Sequence, residues 1–175
     1  EYEADPRQSE RLTEALGLNG ANSCVTPGLK PTKEQLDSEK PLAEHECTPY
    51  RGNGARCNYI GPDRPDIQYS AKEICRWMST PTNVGQDALK RLGRFLLGRK
   101  RLVFKYGWQR ASKLECYSDT DWAGCPKTRK STSDGCLMLG GHLLKSWSST
   151  QPSISLSSGE AEYYGVVKAA GIALG

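Results

Sequence analysis

The sequence has no apolar run near the ~20 residues that a membrane-crossing helix needs, which argues against a helical membrane protein. It has no C-x-x-C pair. Its seven cysteines, at positions 24, 47, 57, 75, 116, 125 and 136, are odd in number and are spaced for neither a zinc module nor a disulfide framework. Reduced thiols in an intracellular protein are the expected state. His45-Glu46-Cys47 has the residue types of a ligand pair, but no second pair at a ligand spacing accompanies it. Glu1-Tyr2-Glu3-Ala4-Asp5 has neither the basic nor the apolar region of a signal peptide. There is no initiating Met, and the chain stops inside a helix-like run from Val166 to Gly175. Both ends therefore read as cut, and a longer parent is expected.

Acidic residues are missing between Ala88 and Leu114, where nine basic ones occur: Lys90, Arg91, Arg94, Arg99, Lys100, Arg101, Lys105, Arg110 and Lys113. A block of one sign commonly contacts phosphates. It reads equally as a solvated helix face followed by a linker. What is present is lean but globular: 175 residues, 25% charged and 37% hydrophobic, with a net charge of +4. That composition excludes wholesale disorder. The length allows one ordinary domain or two small ones.

Three segments follow from the patterning. Residues 1–48 read as a helix and a loose linker. Asp5-Pro6 caps the helix, Leu12, Ala15 and Leu16 form its stripe, and Gly17 ends it. From residue 19 the periodicity is lost among Pro, Lys, Glu and Thr. Residues 49–111 regain order. A helix opening at Asp63 or Pro65 carries Ile67, Ala71, Ile74 and Met78 on one side and stops at Thr80-Pro81-Thr82. A further helix over about 85–97 carries Ala88, Leu89, Leu92 and Leu96, with Gly98 as a left-handed end. Leu102 to Tyr106 reads as a short strand. Residues 112–175 read as β-β-β-α: strands at Leu114–Asp119, Gly135–Leu139 and His142–Ser148, a turn at Gly140-Gly141, extended chain over Ile154–Leu156, and a helix capped by Ser157 or Ser158. The fold class is therefore α/β, a small helical region followed by this unit.

Two acidic clusters punctuate the last segment, Asp119-Thr120-Asp121 and Glu160-Ala161-Glu162. On a strand Asp119 and Asp121 project to the same side. On a helix Glu160 and Glu162 stand about 200° apart, so one of them faces the sheet. Val166 and Ala169–Ala170 share the side of Glu162, which selects Glu162 as inward and leaves Glu160 as a solvated first-turn acid. Both glutamates also suit the positive end of the helix dipole without any further role. Convergent carboxylates are what hydrolysis of a phosphodiester by two divalent cations roughly 3.5–4 Å apart requires. Mg²⁺ takes oxygen ligands, so neither Cys nor His is needed.

Tyr117-Ser118-Asp119-Thr120-Asp121-Trp122-Ala123-Gly124, Arg129-Lys130-Ser131-Thr132-Ser133, Ser146-Trp147-Ser148-Ser149 and Ser157-Ser158-Gly159-Glu160-Ala161-Glu162-Tyr163 together resemble the RNase H domain of copia-type retrotransposon Pol polyproteins. Upstream, Asp63-Arg64-Pro65-Asp66-Ile67, Arg76-Trp77-Met78-Ser79-Thr80-Pro81 and Leu89 to Leu96 resemble the connection between reverse transcriptase and RNase H in the same polyproteins. Asp5-Pro6-Arg7 and Thr26-Pro27-Gly28 resemble its start.

The resemblance implies a truncated RNase H-like unit over 112–175 and a connection-like segment over 49–111. It implies cleavage of the RNA strand of RNA–DNA hybrids with Mg²⁺ or Mn²⁺ at a two-ion site of four carboxylates. Asp119 matches the first of these and Glu162 the second, with Asp121 in a supporting role. The other two have no counterpart before Gly175, so the chain alone is expected to be inactive. Lys90, Arg91, Arg94, Arg99, Lys100, Arg101, Lys127, Arg129 and Lys130 are the candidate phosphate contacts. Ser131 and Thr132 could meet a 2′-hydroxyl or serve only the turn. The implied partners are an RNA–DNA hybrid or other nucleic acid and the upstream reverse transcriptase domain, without a membrane. The implied location is a cytoplasmic particle or the nucleus. A non-catalytic nucleic-acid-binding module and a degenerate transposon remnant are the alternatives.

Overall fold

A computed structural model describes residues 1–110 and 112–175. The chain forms two compact units, Glu1–Lys105 and Tyr106–Gly175. It is a mixed α/β protein, as the patterning predicts, with six helices and two small antiparallel sheets among the described residues.

The first unit holds α1 (Pro6–Ala15), α2 (Lys33–Asp37), α3 (Glu44–Ile60), α4 (Pro65–Cys75) and α5 (Asn83–Gly98). The short strands β1 (Tyr2–Glu3) and β2 (Val103–Phe104) pair antiparallel and close its two ends together. Asp5 caps α1 as the sequence announces, its carboxylate accepting from Arg7 N, and Thr82, read from the sequence only as a helix stop, caps α5 by accepting from Gly85 N. Leu12, Tyr50, Cys57, Ile67, Ile74, Leu89, Leu92 and Leu96 are fully buried and form one core. Arg64 is 2% exposed, pairs with Asp66 at 2.8 Å and donates to the Arg99 and Lys100 carbonyls at 2.9 and 3.3 Å. It thereby satisfies carbonyls just past the end of α5.

Three local expectations change. Residues 19–48 are fastened rather than loose. Thr32 and Gln35 form a reciprocal cap on α2. Glu39 Oε1 accepts from Trp77 Nε1 at 2.8 Å and Thr82 Oγ1 at 2.7 Å, and Lys40 and Asn83 exchange hydrogen bonds. Order also begins before Thr48, because α3 runs through Pro49. Proline costs the helix one backbone donor there, while Tyr50, Cys57 and Ile60 beyond it are buried. Gly98 closes α5 without a left-handed φ, and Arg99 after it has φ −137°.

The second unit is a three-stranded antiparallel sheet in the order β3 (Leu114–Asp121), β4 (Thr132–Leu139) and β5 (His142–Thr150). The β4–β5 turn places Gly140 at φ +56°, which glycine adopts at little cost. Helix α6 (Ser158–Leu174), capped by Ser157, packs on one side of this sheet over Leu137 and Trp147. Ile154–Leu156 is not a strand. Pro152 cannot donate to a ladder, and the chain bends at Pro152 and Ser153 after β5.

Candidate functional site

The strand that carries Asp119 and Asp121 packs against the helix that carries Glu160 and Glu162. Cys116 Sγ donates to the Ala169 carbonyl at 3.5 Å, and Thr120 Oγ1 to the Ala161 carbonyl at 3.4 Å. These alternate residues mark the side of β3 that faces α6. Strand alternation then places Tyr117, Asp119 and Asp121 on the other side. Asp119 is exposed and stands opposite Asp134 of β4, while Asp121 stands opposite Thr132. Asp121 also lies against the turn after the strand: a Cβ on Gly124 would come within 2.0 Å of its carboxylate, so a larger residue there requires that side chain to move.

On α6 the packed stripe is Ala161–Gly165–Ala169, not Glu162–Val166. Val166 is 56% exposed, and Glu162 is exposed on the flank next to Ala161. The inward assignment of Glu162 is thus corrected. The reason is size: a Cβ on Gly165 would meet Thr120 Oγ1 at 2.6 Å, so the helix approaches where its side chains are smallest. Glu160 is half-buried rather than solvated, and its Oε2 accepts from Leu156 N at 2.7 Å.

The contact between Thr120 and Ala161 joins the immediate neighbours of Asp119 and Glu162. Both carboxylates therefore sit at the same end of the sheet, Asp119 on its outer side and Glu162 on the helix flank. Oxygen donors of this kind suit a hard divalent cation. Their number does not suit two: no group of three or more His, Cys, Asp or Glu able to hold a metal exists among the described residues.

Sequence reasoning overlooked Gln151, which is buried and bonds to both sheet and helix at this junction. A lone Gln between a strand end and a proline carries no periodic signal; only its contacts distinguish it.

The basic residues divide. Arg91 donates to Thr26 Oγ1 at 2.7 Å, Arg94 to the Asn22 carbonyl at 2.7 Å, and Arg101 to Glu3 at 2.6 and 2.7 Å. These side chains hold the N-terminal segment in place. The Arg99 guanidinium lies over the Phe95 ring, 5.5 Å from its centre. Lys90 and Lys100 are exposed. Lys127, Arg129 and Lys130 follow Cys125 in the β3–β4 connection, where Arg129 takes a left-handed φ of +56°. No helix among the described residues is long and apolar enough to cross a membrane.

The chain is 33% identical over 160 residues to the uncharacterized mitochondrial protein AtMg00810 of Arabidopsis thaliana, a match covering 89% of this chain and 65% of that protein. It is 36% identical over 149 residues to each of the retrovirus-related Pol polyproteins from transposons RE1 and RE2 of the same plant, covering 83% of this chain and 10% of each polyprotein. These relatives are retrovirus-related Pol polyproteins of transposons and an uncharacterized mitochondrial protein, consistent with the resemblance to copia-type Pol. It spans about two thirds of the mitochondrial relative and a tenth of the polyproteins. No protein-family profile matches it, and no solved structure does.

Proposed function

We propose that the second unit is the opening part of an RNase H domain, and that the parent polyprotein hydrolyses the RNA strand of RNA–DNA hybrids with Mg²⁺ or Mn²⁺. The observation that supports this reading is the β-β-β-α unit, with α6 bonded to β3 through Thr120 and Ala161, in a chain similar to Pol polyproteins. A bound divalent cation would supply charge stabilisation and an acidified water there. The chain's own part is to offer Asp119 from a strand and Glu162 from a helix flank, with Asp121 forming the adjoining turn. Two carboxylates do not hold two cations, so the chain alone is inactive. Incubation with a labelled RNA–DNA hybrid and Mg²⁺ is expected to leave the RNA intact. Hybrid-specific cleavage that disappears in Asp119→Asn would overturn this.

The acid-free run from Ala88 to Leu114 supports phosphate contact by the same polyprotein. Binding of the chain to a hybrid should weaken steeply with salt and need no divalent ion. Binding insensitive to salt would count against the basic residues as phosphate contacts.

A further inference from the structure

Trp77 and Trp147 are buried, and Trp122 Nε1 donates to the Ser155 carbonyl at 3.1 Å. Trp108 has neither kind of support. It is 93% exposed and makes no hydrogen bond or ring contact to another described residue. The backbone that carries it is nonetheless anchored within the second unit. Tyr106 Oη donates to the Leu143 carbonyl at 2.8 Å, and the Tyr106 ring meets His142 edge-on at 5.0 Å. Gln109 Nε2 donates to the Leu139 carbonyl at 2.7 Å, and Gln109 Oε1 accepts from Gly141 N at 3.0 Å. Gly140 N donates to the Lys113 carbonyl at 3.0 Å. Residues on both sides of Trp108 therefore grip the β4–β5 turn, and the indole between them is left to solvent.

The charge beside it has one sign. No acidic residue occurs between Ala88 and Leu114. Arg110 is exposed and has no carboxylate partner among the described residues, whereas Lys113 is held by Glu115 at 2.7 Å. A free π face two residues from a free guanidinium matches a nucleotide, whose base stacks and whose phosphate takes the cation. A base inside a duplex already has neighbours on both faces, so the match is to an unpaired one. An apolar protein surface would be met by a patch of apolar side chains. Trp108 instead stands between Gly107 and Gln109.

We propose that Trp108 is a stacking platform for an unpaired base of single-stranded nucleic acid, with Arg110 on the adjoining phosphate. This rests on the reading of the acid-free run as phosphate contacts and names the form of strand that the run would hold.

The test uses the full chain with labelled oligothymidylate and oligouridylate, and with an RNA–DNA hybrid duplex for comparison, over a range of salt. Trp108→Ala is expected to weaken both single strands roughly tenfold, within the range for one stacked base, and to leave duplex binding and the salt slope as in the wild type. Trp108→Phe should keep most of the affinity. Arg110→Ala should lower the single-strand salt slope by roughly 0.7, the share of one phosphate. Melting midpoints should match the wild type in all three, because both side chains are exposed and unbonded, so lost binding is not lost fold. Single-strand affinity equal in wild type and Trp108→Ala overturns the proposal, and a steep salt dependence in that case leaves the phosphate reading standing. An equal loss on the duplex also overturns it. Salt-insensitive binding sinks the phosphate reading instead, and the Trp108→Ala comparison then still decides the stacking. A wild type that binds neither single strand overturns the proposal and assigns the exposed indole to a protein surface.

Discussion

Gly135 shows how one residue type shapes the second unit. A Cβ there would lie 2.1 Å from Trp147 Cζ2 and 2.5 Å from the Tyr117 carbonyl, so the indole lies directly on the strand backbone. Gly135→Ala is expected to destabilise the unit by about 1–3 kcal/mol, as overpacking does, read as a lower midpoint in a thermal melt. Gly141→Ala is the control. Its Cβ would meet Gln109 Oε1 at a comfortable 3.7 Å, and its effect should stay within about 0.5 kcal/mol. The same scale explains what the acidic residues disclosed. Asp119 and Asp121 were legible as co-facial because a strand has a strict period of two. Glu162 was misphased because the apolar residues of α6 surround it on several sides. Which side packs was decided by Gly165 and Ala161, which no hydrophobicity count singles out.

Among the elements, those with a start signal or an apolar stripe were readable: α1 from Asp5-Pro6, α4 from Pro65 and Ile67, and α5 from its leucines. The strap over residues 39–42 was not, because its partners lie about forty positions away. Glu39 holds Trp77 Nε1 and Thr82 Oγ1 at once, and Thr82 also caps α5. Glu39→Ala leaves both donors without this acceptor. It is expected to cost about 1–3 kcal/mol and to raise amide exchange at Leu42 and Asn83, whose backbone bonds close the strap. Protection at those amides equal to wild type would show that Glu39 does not hold it.

At the scale of the whole molecule, each unit has its own core, and the first carries ionisable groups within it. Burial pushes the Cys57 thiol up to about 12 and raises Tyr50 and Cys75 as well. The folded state therefore keeps protons that the unfolded chain releases from about pH 9 upward. The stability these groups contribute is fully present below pH ~9 and is lost as pH rises toward 12. Denaturant melts of the first unit should show a midpoint that is flat around neutrality and falls above pH ~9, and a flat profile to pH 11 would contradict the burial of these groups. By itself the sequence determined the α/β class, the β-β-β-α order, the likeness to transposon Pol polyproteins and the co-facial aspartates, since caps, periodicity and motif spacing are local. Only the tertiary structure decided the phase of α6, the fastening of residues 19–48 and the part of Gln151. Each of these depends on which distant group fills a gap or accepts a proton, and no local pattern encodes that.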